Sequence, residues 1–111
     1  MARRRRAREH AATVEYTDAE GGALTLRGSL SPSTRRRFAA IASGPREDAW
    51  QRRVEFLFER LAVRWVIHEV PTEGQRELLE RLRVASQAER GFVRDSLRAH
   101  CAALFPDLES P

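Results

Sequence analysis

Between Trp50 and Ile67 the chain carries more apolar surface than one face of one helix uses. Trp50, Val54, Leu57, Phe58, Leu61 and Trp65 recur at spacings of three and four, which aligns them along a single helical stripe. A second, weaker line runs along the other side through Ala49, Phe56, Val63 and Ile67, with Arg52, Arg53, Glu55, Glu59, Arg60 and Arg64 between the two. The pattern predicts a long helix over 46–67 that ends before Pro71, although its β-branched tail (Val66, Ile67, Val70) also suits extended backbone. Two arrangements use both faces. Either the helix is sandwiched between other elements, or Phe56, Val63 and Ile67 stay partly exposed and bind a partner helix or a second copy of the chain. With 111 residues in all, few elements are left to cover two faces, which keeps the second arrangement open.

The rest of the chain supplies short, well-punctuated elements. Thr13–Thr17 and Ala23–Arg27 alternate apolar with polar, and Asp18-Ala19-Glu20-Gly21-Gly22 between them has the glycines of a turn, so residues 13–27 predict a β-hairpin. Val14 and Tyr16 would share a face with Leu24 and Leu26. One edge would remain open to another strand. Ser31 as N-cap and Pro32 as first helical residue open a helix over 32–42 that buries Phe38 and Ile41, and Ser43-Gly44-Pro45 breaks it. Two capping boxes follow, Thr72 to Gln75 and Ser86 to Glu89. They open helices over 73–85 (Leu78, Leu79, Leu82 and Ala85 inward) and 87–104 (Phe92, Val93, Leu97, His100 and Leu104 inward). The expected fold is α+β and mainly helical: a single domain over 13–108, with an N-terminal hairpin packed on a bundle of about four helices. Residues 1–12 read as a disordered basic arm and 109–111 as a frayed terminus.

Composition removes several kinds of chemistry. All 20 basic side chains are arginine, so a Schiff-base lysine, a pyridoxal-phosphate lysine and a phosphate-loop lysine are absent. The single cysteine, Cys101, makes neither an internal disulfide nor a Cys-based zinc site, and fits a reducing, cytoplasmic location. No stretch is apolar enough to span a membrane, and no apolar run follows the basic N-terminus, so neither a membrane span nor a secretory signal is expected. His100 and Cys101 are neighbours on a helix and point about 100° apart, which argues against a nucleophile pair. The carboxylate pairs Glu55/Glu59 and Glu73/Glu77 have arginines beside them and read as solvated faces. No His-x-x-x-His or Glu-x-x-His spacing offers a metal site. Neither enzyme activity nor a metal or cofactor is therefore expected.

The arginines are unevenly placed. Arg3, Arg4, Arg5, Arg6 and Arg8 against Glu9 carry the whole formal net charge of +4, while residues 11–111 hold 15 arginines and 15 acids. A neutral body is not the footprint of a dedicated DNA-binding domain. Three clusters nevertheless suit an anion or nucleic acid: the arm (Arg3, Arg4, Arg5, Arg6), Arg35-Arg36-Arg37 in the first turns of the first helix, and Arg90, Arg94 and Arg98 in an i, i+4, i+8 row. The plainer readings are a solubilising leader for the arm, pairing with acids elsewhere in the fold for Arg35-Arg36-Arg37, and a solvated face for Arg90, Arg94 and Arg98.

The order of elements resembles that of small phage tail assembly chaperones, in which an N-terminal β-hairpin feeds a compact helical body that holds apolar segments of the tape-measure protein. The resemblance rests on the hairpin Val14 to Arg27, the Leu30-Ser31-Pro32 entry, the segment EFLFERLAVRW from Glu55 to Trp65, and the Pro71-Thr72 break. It covers most of 13–104 as architecture; the basic arm has no counterpart in it. It implies a non-enzymatic protein-binding or assembly module that acts through apolar helix surface, at the positions Phe56, Val63 and Ile67 already named. The alternative is a small nucleic-acid-associated accessory protein whose arm and arginine rows contact phosphates.

Overall fold

The computed structural model describes residues 13–42 and 49–108. The basic arm with Arg3, Arg4, Arg5, Arg6 and Arg8, the break at Ser43-Gly44-Pro45, the first three residues of the expected long helix and the terminus 109–111 lie outside the described residues. The fold is α+β and mainly helical. In order come β1 (Thr13–Thr17), β2 (Ala23–Arg27), α1 (Pro32–Ala42), α2 (Ala49–Leu61), β3 (Ala62–Ile67), β4 (Val70–Glu73), α3 (Gln75–Arg83) and α4 (Gln87–Leu104).

The hairpin forms where the alternation places it. Tyr16 pairs with Leu24 and Val14 with Leu26, so these four share a face. The Asp18 carboxylate accepts the amides of Glu20 (2.9 Å) and Gly22 (2.7 Å) and so organises the turn. Two glycines are required here. Gly21 has φ +86°, and a Cβ on Gly22 would sit 2.6 Å from an Asp18 carboxylate oxygen. α1 starts as expected: the Ser31 hydroxyl accepts the Thr34 amide at 3.1 Å, and Phe38 is buried.

The expected long helix does not exist as one element. α2 ends at Leu61, and residues 62–67 form a strand that makes a second hairpin with β4, completing a four-stranded antiparallel sheet in the order β1-β2-β3-β4. Two side chains close the end of α2, where backbone carbonyls lack intrahelical donors. The Gln75 amide donates to the Glu59 carbonyl (3.1 Å), and the Arg27 guanidinium donates to that of Arg60 (3.2 Å). The chain then enters the sheet through a bulge. Leu26 lies opposite Ala62 but Thr25 opposite Arg64, which leaves Val63 as the extra residue of β3. Ala62 and Trp65 consequently both turn into the core, three residues apart. β3 and β4 are joined by His68 and Glu69, with φ +50° and +67°, a two-residue turn whose twist matches a hairpin.

With Thr72 and Glu73 drawn into β4, opposite Trp65 and Arg64, the capping box expected from Thr72 does not form. α3 starts at Gln75 behind Gly74, with no side-chain cap. The second box is present: Ser86 Oγ accepts the Glu89 amide, and the Glu89 carboxylate accepts the Ser86 amide. On α4, Leu104 points to solvent, and Cys101 and Phe105 take the buried places beside His100.

One core unites these elements. Leu24, Leu26, Ala62 and Trp65 of the sheet meet Leu57, Phe58 and Leu61 of α2, Leu78 and Leu82 of α3, and Val93, Leu97 and Cys101 of α4. On the opposite face of the sheet a polar row crosses the strands, Glu15–Thr25–Arg64–Glu73, closed by the Arg64–Glu73 ion pair.

Candidate functional site

Trp50 was expected inside and is 48% exposed, whereas Trp65 is 1% exposed. The stripe on α2 runs one turn past the last layer of core that α3 and α4 provide. That overhang shapes a cleft of about 230 Å³ between the start of α2, the end of α3 and the start of α4. Val54 and Leu82 contribute buried apolar surface, Trp50 stands at the exposed side, and Gln51, Glu55, Gln87, Arg90, Gly91 and Arg94 complete the lining. Small-molecule sites usually run from about 300 to 1,000 Å³, whereas an apolar cavity of about 150 Å³ already accepts benzene. The cleft is sized for one large side chain.

Its charged groups hold defined positions. Arg90 reaches back to the end of α3, donating from Nη2 to the Arg83 carbonyl (2.8 Å) and from Nε to that of Ala85 (3.3 Å), a cationic cap on the negative end of that helix. The Arg94 guanidinium lies 3.5 Å from the Asp95 carboxylate, in a geometry that gives its Nε no hydrogen bond. Glu55 sits 3.8 Å from Arg83. Behind the cleft, Arg81 bridges the Trp65 ring (5.5 Å) and the Glu89 carboxylate (3.1 Å). The Ser86 amide, and then Arg81, hold Glu89 below the usual carboxylate range against the opposing effect of burial.

The residues expected to bind a partner do not lie on one helix. Phe56 is half-buried on α2, its ring 6.3 Å from that of Phe38 and 5.2 Å from the Arg60 guanidinium. Val63 is the bulge residue of β3, and Ile67 packs against the core at the far end of that strand, both half-buried. A single helix line through all three is corrected by the break at Leu61.

Of the two described arginine clusters, the first meets α4 at its C-terminal end and the second runs along that helix. Arg35 stacks on Phe105 (5.2 Å), beyond the C-terminus of α4, with Arg36 and Arg37 exposed beside it in sequence. Arg90 lies near the other end of α4, which as an 18-residue helix spans about 27 Å. At the start of α1, the Ser31 side chain already occupies the Thr34 amide. Of the second row, Arg90 caps α3, Arg94 lines the cleft, and Arg98 is exposed one turn further along.

His100 and Cys101 form no pair. Nε2 of His100 lies 2.7 Å from the Arg27 carbonyl, which only accepts, so that nitrogen carries the proton. Nδ1 is therefore the acceptor for the Tyr16 hydroxyl at 2.8 Å. Burial lowers the His100 pKa, against the Arg27 bond that raises it, and pushes the Cys101 thiol up to about 11. This connection fastens α4 to the hairpin, and sequence reading placed the histidine inside without finding either partner.

Among the described residues there is no cluster of His, Cys, Asp and Glu placed to hold a metal ion, and no helix long and apolar enough to cross a membrane. No family model, curated protein or solved structure matches the chain.

Proposed function

We propose that the protein is a non-enzymatic binding module, of the assembly-chaperone kind its element order resembles, and that it holds an apolar side chain of a partner protein in the cleft between α2, α3 and α4. One observation carries this reading: a tryptophan half exposed beside the buried Val54 and Leu82, in a space the size of one side chain. Aromatic anchors seated in small apolar pockets supply much of the energy of protein interfaces, and a half-exposed tryptophan has apolar area left to bury. The contact surface is thereby centred on Trp50 rather than on Phe56, Val63 and Ile67, which are divided between a helix and a strand.

The test is selection of random displayed peptides on the immobilised protein, followed by comparison with Trp50→Ala. The expected result is a set of peptides with a shared bulky apolar residue that bind the parent chain and lose at least about tenfold on Trp50→Ala. Trp65 is buried and reports retention of the fold by its fluorescence. Selection of no peptide, or of peptides that bind Trp50→Ala equally, overturns the proposal.

A further inference from the structure

The charges around the cleft narrow the partner's chemistry. The apolar floor formed by Val54 and Leu82 is bordered by Arg90 and Arg94, while the start of α4 is already capped by Ser86 and Glu89. The acid in the lining, Glu55, has Arg83 at 3.8 Å, a contact as loose as that between Arg94 and Asp95, so that the two arginines of the lining outnumber its one acid. Arg90 spends two of its nitrogens on carbonyl oxygens, which orient it without neutralising it, and among the described residues no carboxylate lies within ion-pair distance of it. Arg94 has the loose Asp95 contact just described, on a side chain 38% exposed, so its guanidinium is available to a second acceptor. Apolar floor and positive border occur together within one side chain's reach.

We infer that the cleft, read as a protein-binding site, takes a peptide segment in which a bulky apolar residue is adjacent to an aspartate or glutamate. The apolar side chain fills the space against Trp50, Val54 and Leu82. The neighbouring carboxylate accepts from Arg94 in the field of Arg90. Arginine suits this role because its planar fork offers donors beyond those already used.

The experiment uses the full chain and three fluorescein-labelled peptides, alike except at one position: a central leucine in a glycine–serine background, followed by aspartate, asparagine or arginine. Anisotropy titrations are run against the parent protein, Arg94→Gln and Trp50→Ala, with circular dichroism confirming each fold. Arg90 is left intact because it caps α3. The aspartate peptide should bind about two- to fivefold more tightly than the asparagine peptide, and the arginine peptide most weakly, as expected for a solvent-accessible charge pair. That advantage should shrink in about 0.5 M salt and disappear in Arg94→Gln, while Trp50→Ala weakens all three peptides. Equal binding of all three to the parent protein overturns the acidic preference and leaves the apolar cleft standing. Binding of none overturns the cleft reading itself. Concentration-dependent dimerisation in sedimentation, lost on Trp50→Ala, would assign the cleft to a second copy of the chain and overturn the inference.

Discussion

Removing one oxygen atom from Tyr16 should loosen the N-terminal hairpin from the last helix. The Tyr16 hydroxyl donates to Nδ1 of His100, a residue with 0% exposure, while the other ring nitrogen is committed to the Arg27 carbonyl. In Tyr16→Phe the edge-on contact of the two rings, with centroids 5.5 Å apart, is retained, so packing changes little. What is lost is the donor, and Nδ1 is left as an unsatisfied buried acceptor. That costs about 1–3 kcal/mol, which for a domain near 100 residues corresponds to a melting temperature lower by about 5–15 °C.

Urea unfolding near pH 7.5 measures the loss, and an unchanged m-value would show that the unfolded state is unaffected. The same site predicts a pH dependence. Burial holds the folded-state pKa of His100 below its ordinary 6.5, so as the pH falls the unfolded chain takes up the proton first. Stability is fully present above about pH 6.5, declines as the pH falls toward the folded-state value, and levels off below it. In His100→Gln, which keeps a donor and an acceptor but does not titrate, this decline should vanish. Glu89 acts in a separate window, because its folded pKa is depressed below 4.5 and its contribution is lost only below that value. The reasoning fails if Tyr16→Phe is as stable as the parent within about 0.3 kcal/mol, or if the decline persists in His100→Gln.

The two tryptophans should separate cleanly. Trp50→Ala should cost about 1–2 kcal/mol and Trp65→Ala about 3–5 kcal/mol by chemical denaturation, and similar losses would contradict their burial. Cys101, buried and with its thiol pushed up to about 11, should react with an aromatic disulfide reagent near pH 8 only after unfolding; labelling of the native protein within minutes would refute this. Replacing His68-Glu69 by Asn-Gly should stabilise the fold by about 0.5–1 kcal/mol, since both residues have positive φ, which glutamate disfavours and asparagine and glycine adopt most readily; a loss in thermal melts would count against the turn geometry. Deleting Val63, the extra residue, leaves Ala62, Arg64 and Trp65 opposite Leu26, Thr25 and Leu24 without the bulge, so Ala62 and Trp65 both stay inward at the regular spacing of two. A cooperative transition is therefore expected to survive, and broad, non-cooperative melting would show that the bulge itself is required for the sheet to meet α2.

Elements with one unambiguous period were legible in the sequence. The first hairpin, α1 and α4 occupy the expected residues, because strict alternation, a serine N-cap before proline and a Ser–Glu capping box each specify a single backbone. The stretch 62–67 misled for a physical reason. A regular strand sends every second residue inward, but the bulge at Val63 sends Ala62 and Trp65 inward at a spacing of three, the same spacing a helix uses. The following turn lacks the Asn-Gly that marks most hairpins of its kind. The readable signal was compositional: Val63, Val66, Ile67 and Val70 are β-branched, and Pro71 suits the edge strand it occupies.

The cleft was hidden by the same periodicity that revealed α2. Trp50 obeys the stripe, and a stripe states which residues share a face but not how far the opposing elements extend. α3 has nine residues, and its last buried one, Leu82, meets the cleft beside Val54, one turn short of Trp50. Length therefore decides exposure. The nine residues of α3, bounded by Gly74 and by the Arg90 clamp on Arg83 and Ala85, stop before the tryptophan is covered. Lengthening α3 by one helical turn should bury the Trp50 ring and blue-shift its emission. If the proposed reading is right, it should also abolish binding of the leucine–aspartate peptide without touching any residue that contacts it, whereas retained binding would place the contact elsewhere.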